Sequence, residues 1–462
     1  MSGSNASGGA FIEVDPLARE LGERFRAAGH RLYLVGGTVR DALLGDEDGH
    51  PDLDFATDAH PQETLVVLRG WGERLYLQGA RFGTVGSRRD GRDIEITTFR
   101  EEVYPEDERK PNVTFARDIE TDLSRRDFTV NAMAVSVPEG EFIDPFGGVK
   151  DLATKTLDTP LDPETAFSDD PLRMLRAARF VSTLGVAPVP RVVDAMKEMC
   201  GRLEIVSAER IRDELNKLLL GTKVKNGLAL MVEAGLAERF LPELPALKLE
   251  QDPVHKHKDV LRHTYAVVDK CDPNLRLRLA ALLHDIGKPR TREVDEEGVQ
   301  FHHHEVVGAR MAAERMRALR YPAALTEQVS RLIEMHHRFH SYEGWTDGAV
   351  RRYVRDAGEL LDDLGQLTRA DCTTRDPAKA KRFAVLQDEL EERIAKLAEE
   401  EALDAIRPAL DGNEVMEHLG IGPGPLVGEA LGHLMEIRME RGIIGKDEAY
   451  RLLEGWASGK SL

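Results

Sequence analysis

The stretch GGTVRDALLG (36–45), followed closely by PDLDFAT (51–57), decides the fold of the N-terminal part of this chain. RLYLVGG (31–37) reads as a strand that ends in two glycines. TVRDALLG (38–45) reads as a helix closed by Gly45, and PDLDFAT returns as a short strand. Glycines at a strand end let the backbone approach a bound group closely, and the helix that follows presents free N–H donors at its start. Asp52 and Asp54 stand at i and i+2 of the second strand, so both carboxylates face the same way. A DxD pair in isolation is usually a solvated loop. Beside a glycine-capped helix it is a set of hard oxygen ligands next to a phosphate cradle, the combination that magnesium and a triphosphate require.

Further strands lie at GTVGSRR (83–89) and RDIEITTF (92–99), with a helix expected over 61–70. The alternation in the last of these puts Asp93 and Glu95 on one face, and Glu95 is the candidate third carboxylate. The head is thus an α/β unit with a small mixed or antiparallel sheet. From about residue 165 the apolar positions switch to helical spacing, and the rest of the chain reads as mostly α. FREEVYPEDERKPNVTFA (99–116) is polar, rich in turn formers, and reads as a mobile loop near Glu95. We divide the chain into a disordered leader (1–12), a head (13–155), a helical neck (156–245), a histidine-rich section (246–375) and a helical tail (376–462).

Composition narrows the class. The chain has 462 residues, 41% of them hydrophobic and 31% charged, which suits a multidomain globular protein. Its three cysteines, Cys200, Cys271 and Cys372, include no CxxC pair, so neither a disulfide framework nor a cysteine zinc site is expected. No secretory signal or membrane span is legible, and a cytoplasmic location follows. Nothing in the sequence specifies an oligomeric state. The net charge of −19 argues against a uniformly nucleic-acid-binding surface. Residues 171–225, however, carry 11 Lys/Arg against 6 Asp/Glu, so positive charge is concentrated locally.

The order GGTVRD–LLG–DLDFAT resembles the DNA polymerase β superfamily of nucleotidyltransferases, and within it the tRNA nucleotidyltransferase/poly(A) polymerase family. The resemblance implies that Asp52 and Asp54 hold Mg²⁺ and that Gly37 and Arg40 contact the nucleotide. DLSRRDFTVNAMA (122–134) resembles the family's RRDFTxNA motif and makes Arg126 a nucleotide contact, with Asp127 and Asn131 as braces. SDDPLRMLRAARF (168–180) resembles its EDxxR motif, with Asp169 in place of the usual glutamate. Asp170 and Arg173, three apart on the expected helix, offer an acceptor and donors that suit cytosine and adenine and disfavour uracil and guanine. Arg176 and Arg179 continue the stripe toward the triphosphate, and Arg210 in SAERIRDEL (207–215) supports this helix. The loop at 99–116 is associated in the family with switching from C to A addition.

The histidine-rich section resembles the HD phosphohydrolase superfamily. That resemblance makes His263, His284, Asp285 and Asp371 ligands of a second divalent metal (Mn, Ni or Mg), with His304 and His336 completing a two-metal version. The whole chain therefore resembles an enzyme that adds CCA to the 3′ end of tRNA, with CTP, ATP and the tRNA acceptor end as partners. Neck, histidine section and tail are expected to offer a basic face to the tRNA. Two alternatives are a poly(A) polymerase on the same scaffold and an HD-type metal-dependent phosphohydrolase or nucleotide sensor.

Overall fold

The computed structural model describes residues 14–45, 52–77, 83–103, 112–116, 118–249, 259–295, 298–374, 376–401 and 407–460. The expected leader lies outside them. The chain separates into two compact units, Met1–Pro242 and Glu243–Leu462.

The first unit opens with α1 (Pro16–Ala27), β1 (Leu32–Val35), α2 (Gly37–Leu44), β2 (Leu53–Thr57) and α3 (Pro61–Leu68). It continues through β3 (Arg74–Tyr76), β4 (Thr84–Arg89), β5 (Arg92–Thr98), β6 (Arg100–Val103), β7 (Asn112–Phe115), α4 (Ile119–Ser124), β8 (Ala134–Val137) and β9 (Phe142–Ile143). Among the described residues one seven-stranded sheet runs β3-β4-β5-β2-β1-β8-β9. It is mixed: β2 and β5 are parallel, and their neighbours pair antiparallel.

Period-two alternation divides the sheet's two faces. Leu32, Leu34, Leu53, Phe55, Ile94 and Ile96 pack with Leu21 and Phe25 of α1 and with Val67 and Leu68 of α3. Tyr33, Val35 and Ala56 pack with Phe99 and with Ile119 and Leu123 of α4. Asp52 and Asp54 share parity with Ala56, so they emerge on the second face. Asp15 starts α1 by accepting from the Leu17 and Ala18 N–H groups, and it pairs with Arg92 of β5 at 2.6 Å. This ties the first helix to the strand that carries Glu95.

The expected loop at 99–116 is corrected in part. Its ends pair as the antiparallel strands β6 and β7, because the Glu101–Val103 and Asn112–Thr114 stretches can exchange ladder hydrogen bonds. Its centre, 104–111, lies outside the described residues.

After α5 (Gly148–Thr154) the chain continues as β10 (Thr156–Leu157), α6 (Pro163–Asp169), α7 (Leu172–Leu184), β11 (Ala187–Pro188), α8 (Pro190–Met199), α9 (Ala208–Leu219), α10 (Val224–Glu233) and α11 (Ala237–Phe240). The centre of this part is α7. Met174, Leu175, Ala177, Ala178 and Val181 are buried there, while Gly227 of α10 lets that helix lie against the Ala178 carbonyl. A methyl group at Gly227 would come within 2.7 Å of that oxygen.

The second unit contains α12 (Val260–Lys270), α13 (Leu275–Leu283), β12 (Arg292–Asp295), β13 (Gly298–Phe301), α14 (His304–Ala318), α15 (Ala323–Met335), α16 (Asp347–Ala357), α17 (Leu361–Asp371) and α18 (Pro377–Glu401). The β12–β13 hairpin is a small antiparallel insertion in this otherwise helical part. The last three helices, α19 (Gly412–Leu419), α20 (Pro425–Arg441) and α21 (Lys446–Gly459), pack on a small core of Leu410, Val415, Ala430, Leu434, Ala449 and Leu453. No helix among the described residues is long and apolar enough to cross a membrane.

Candidate active site and metal centre

The parallel register of β2 and β5 sets Asp54 opposite Glu95. Asp52 precedes β2 on the same face, and its carboxylate accepts from the Asp93 N–H at 3.4 Å. Thr38 of α2 locks this edge to the helix: its hydroxyl donates to the Asp52 carbonyl and accepts from the Asp54 N–H, both at 3.3 Å. Burial, then the charges of Glu95 and Asp52, push the Asp54 carboxyl up to about 6, partly offset by Arg126. A site that raises a carboxylate in this way favours a cation beside it. The three carboxylates share a face without converging to ligand distance.

Gly36 caps α2 with φ +68 and ψ −132, a conformation open to glycine alone, and a Cβ there would stand 3.0 Å from Arg126 Nη1. Gly36→Ala is therefore expected to cost about 1–3 kcal/mol from strain. Thermal unfolding would show a lowered Tm. Gly37 borders the Arg40 side chain, to which an added Cβ would come within 3.5 Å.

The arginines are held by a connected set of carboxylates. Asp122, fully buried, accepts from both Arg125 (2.6 Å) and Arg126 (3.0 Å), and their charges keep it ionised against the cost of burial. Arg40 pairs with Asp41 and donates to Asn131 at 2.6 Å. Asn131 donates to Asp127 at 3.0 Å, and Asp127 accepts from Arg176 at 2.5 Å. Glu214 of α9 lies 3.4 Å from Arg176 and 3.3 Å from Arg179. The ring of Phe180 gathers Arg40, Arg176 and Arg179 at 5.5, 5.8 and 4.2 Å from its centroid. Burial and the neighbouring Arg176 pull Arg179 down to about 10.

The expected Asp170/Arg173 pair is rearranged. Asp170 is extended and ends α6, and Arg173 belongs to the first turn of α7, where its N–H donates to the Asp170 carbonyl at 3.0 Å while the two side chains take different partners. Pro171 between them restricts the preceding residue to extended backbone and breaks the helix. Asp170 accepts from the Leu172 N–H and from Arg210 at 2.7 Å. Arg173, buried, donates to the carbonyls of Arg125 (2.5 Å) and Ala166 (3.3 Å). The i, i+4 residues Arg210 and Glu214 of α9 thus engage the acceptor Asp170 and the donors Arg176 and Arg179. Nothing local in the sequence marks Glu214, whereas Asp122 stands three and four residues before Arg125 and Arg126, a spacing that pairs side chains on a helix.

In the second unit His263, His284, Asp285 and Asp371 come together. His263 Nε2 lies 2.9 Å from Asp371, 3.5 Å from Asp285 and 3.3 Å from His284 Nε2. Ligand atoms around one ion with bonds of about 2.1 Å are spaced by about 3.0–3.4 Å, so this spacing fits a metal. His263, His284 and Asp285 form one converging trio, and Asp285, His304 and His336 form another. Asp285 Oδ1 and His304 Nε2 are buried without a hydrogen-bond partner, as ligand atoms would be. Lys288 pairs with the other Asp285 oxygen at 2.7 Å. Against burial, Asp285 and then Asp371 lift His284 to about 10, and His284 and Lys288 hold Asp285 well below its ordinary value. Burial, then His284, pulls His336 down to about 3.

A mixed sheet carrying paired aspartates beside a glycine-capped helix, and backed by a lattice of arginines, defines a nucleotidyltransferase. Family models agree: residues 32–158 match the poly A polymerase head domain, 185–247 a probable RNA and SrmB-binding site of polymerase A, and 260–402 the HD domain. The chain is 35% identical to the A-adding tRNA nucleotidyltransferase of Deinococcus radiodurans over 92% of its length and 95% of that protein's. It is 32% identical to a CCA-adding enzyme of a Geobacillus species, covering 90% and 91% of the two. It superimposes with a TM-score of 0.72 at 26% identity on the Bacillus stearothermophilus CCA-adding enzyme in complex with CTP, over 97% and 99% of the chains. The chain belongs to the tRNA nucleotidyltransferase family and is an HD-domain-bearing nucleotidyltransferase.

Proposed function

We propose that the protein adds CCA to the 3′ end of tRNA without a nucleic-acid template. The tRNA 3′-hydroxyl attacks the α-phosphate of CTP, then of ATP, and pyrophosphate leaves. Asp52 and Asp54, with Glu95 beside them, would hold Mg²⁺, which supplies activation of the hydroxyl and charge compensation for the leaving group. Arg40, Arg126, Arg176 and Arg179 bind the triphosphate, and the Gly36–Gly37 turn lets the backbone approach it. Asp170 accepts from the exocyclic amino group of the incoming base, and Arg173 fixes the wall behind it. The observation that carries the reading is the Asp54–Glu95 pairing beside the glycine-capped helix. The reaction belongs in the cytoplasm, where tRNA and both nucleotides are present.

A second reading has a specific observation behind it: the Deinococcus relative is named as A-adding. Extension of tRNA ending before CCA, of tRNA ending in CC, and of each with CTP and ATP alone or together, separates the two. Growth by three residues on the first substrate establishes CCA addition, and growth only on the CC substrate establishes A addition. A long A tail would mean poly(A) synthesis, which the relatives named above do not favour. Asp170→Ala is expected to lower CTP-over-UTP preference about tenfold, the worth of one hydrogen bond to a base. Unchanged preference would exclude Asp170 as the base reader.

The histidine centre supports a second activity, metal-dependent phosphohydrolysis, with His263, His284, Asp285 and Asp371 as ligands and His304 and His336 extending the set around a shared Asp285. Turnover of 2′,3′-cyclic nucleotides with Mn²⁺ or Ni²⁺ tests it.

A further inference from the structure

The carboxylate at the base edge and the arginines of the triphosphate are held by one helix, a single turn apart. Asp170 lies in the short break between α6 and α7, where one carboxylate oxygen accepts from the Leu172 N–H at 3.1 Å and the other from Arg210 at 2.7 Å. One turn further along α9, the buried Glu214 stands 3.4 Å from Arg176 and 3.3 Å from Arg179. Residues four apart share a helix face, so α9 turns Arg210 and Glu214 toward neighbouring parts of the site. The helix is firmly seated. Ser207 caps its start, Ile211, Leu215 and Leu218 are buried, and the Ser182 hydroxyl of α7 donates to the Leu218 carbonyl at 2.6 Å. Arg176 and Arg179 are like charges beside one Phe180 ring, and the Glu214 carboxylate faces both.

An exocyclic amino group can donate to Asp170 without displacing Arg210, because each carboxylate oxygen carries two lone pairs. Uracil presents a carbonyl at the same edge, and two acceptors repel. Asp170 then moves, its bond to Arg210 is strained, and Glu214 rides on the same stretch of helix. We propose that the start of α9 couples the two subsites: Arg210 and Glu214 are positioning residues that make the grip of Arg176 and Arg179 on the triphosphate depend on the base that Asp170 accepts. A wrong base is thus penalised at the far end of the nucleotide as well as at its own edge. This rests on the function proposed above, in which Asp170 reads the base and the arginines bind the triphosphate.

Two crossed measurements on the full-length enzyme, with tRNA lacking CCA, test the coupling. Inorganic tripolyphosphate has no base, so as a competitor of CTP it probes the arginines alone. Arg210→Ala, at a half-exposed side chain, and Asp170→Ala should each weaken its inhibition by at least about fivefold, the lower end of coupling between sites. The two changes remove opposite charges, so a direct electrostatic effect would shift them in opposite directions. Arg210→Lys, which keeps the charge and a donor, should stay close to wild type. In the other direction, Glu214→Gln keeps the side chain's volume and alters nothing at the base edge, yet should lower CTP-over-UTP preference about tenfold. Opposite or absent shifts in tripolyphosphate inhibition, or an unchanged base preference in Glu214→Gln, overturn the coupling. If wild type extends only tRNA ending in CC, the preference measured is ATP over GTP and the same shifts are expected. A wild type that extends neither substrate overturns the proposed function itself, and the coupling with it.

Discussion

Asp54→Asn is expected to yield a folded protein that incorporates nucleotide at least about 10³-fold more slowly than wild type, the scale of losing a charge-stabilising group in a phosphoryl-transfer site. Asparagine keeps the volume of the side chain and its place opposite Glu95, so packing is preserved. It removes the negative charge that a divalent ion would meet. The same change has a second, opposite consequence. Burial and the neighbouring Glu95 and Asp52 push the Asp54 carboxyl up to about 6, so its ionised form is disfavoured in the folded state. A neutral side chain relieves that repulsion, and the variant should unfold at a higher temperature than wild type in metal-free buffer. Function at the cost of stability is common where like charges are gathered to hold an ion. Single-turnover extension with labelled ATP, together with thermal unfolding, checks both halves. Near-wild-type incorporation would remove Asp54 from the reaction.

The second large effect is on stability. Asp127 is buried among Asn131, Arg173 and Arg176, and against the cost of burial Arg176 and Asn131 hold its carboxyl well below the ordinary range. Asp127→Asn leaves Arg176 without its closest counter-charge. Breaking such a pair costs about 3–5 kcal/mol, and because Glu214 remains near Arg176 the loss should fall at about 3 kcal/mol. The pH dependence has a definite sign. A depressed carboxyl contributes stability that is fully present above its unfolded value of about 3.9 and is lost as pH falls toward the folded value. Wild type should therefore lose stability below about pH 4 more steeply than Asp127→Asn. Urea unfolding of both proteins across pH 3–7 measures the difference. Parallel curves would show that the pair contributes nothing net.

Much of the head was readable because its signals are local. The glycine turn, the DxD alternation and the RRDFTVNA motif each lie within a few residues, and period-two parity alone puts Asp52 and Asp54 on one face. The rearrangement at Asp170 shows where locality fails. Spacing of three suggests helical neighbours, but Pro171 ends one helix and begins another, and the acceptor turns to Arg210, forty residues on. Glu214 is 38 residues from Arg176; no periodicity links such pairs, and only the fold brings them together. The 99–116 segment was legible as polar and turn-rich, yet its ends pair as strands because backbone hydrogen bonds need no apolar pattern.

The parallel pairing of Asp54 with Glu95 carries a consequence for how such an enzyme can diversify. The two residues are joined not by a tight hairpin but by a long connection through α3, β3 and β4. Loop-closure entropy grows only slowly with length, so the turns between these elements can gain or lose residues at small thermodynamic penalty while the carboxylates keep their places. Insertions in the turns that join α3, β3 and β4 are a route by which descendants could acquire new surface contacts around an unaltered centre.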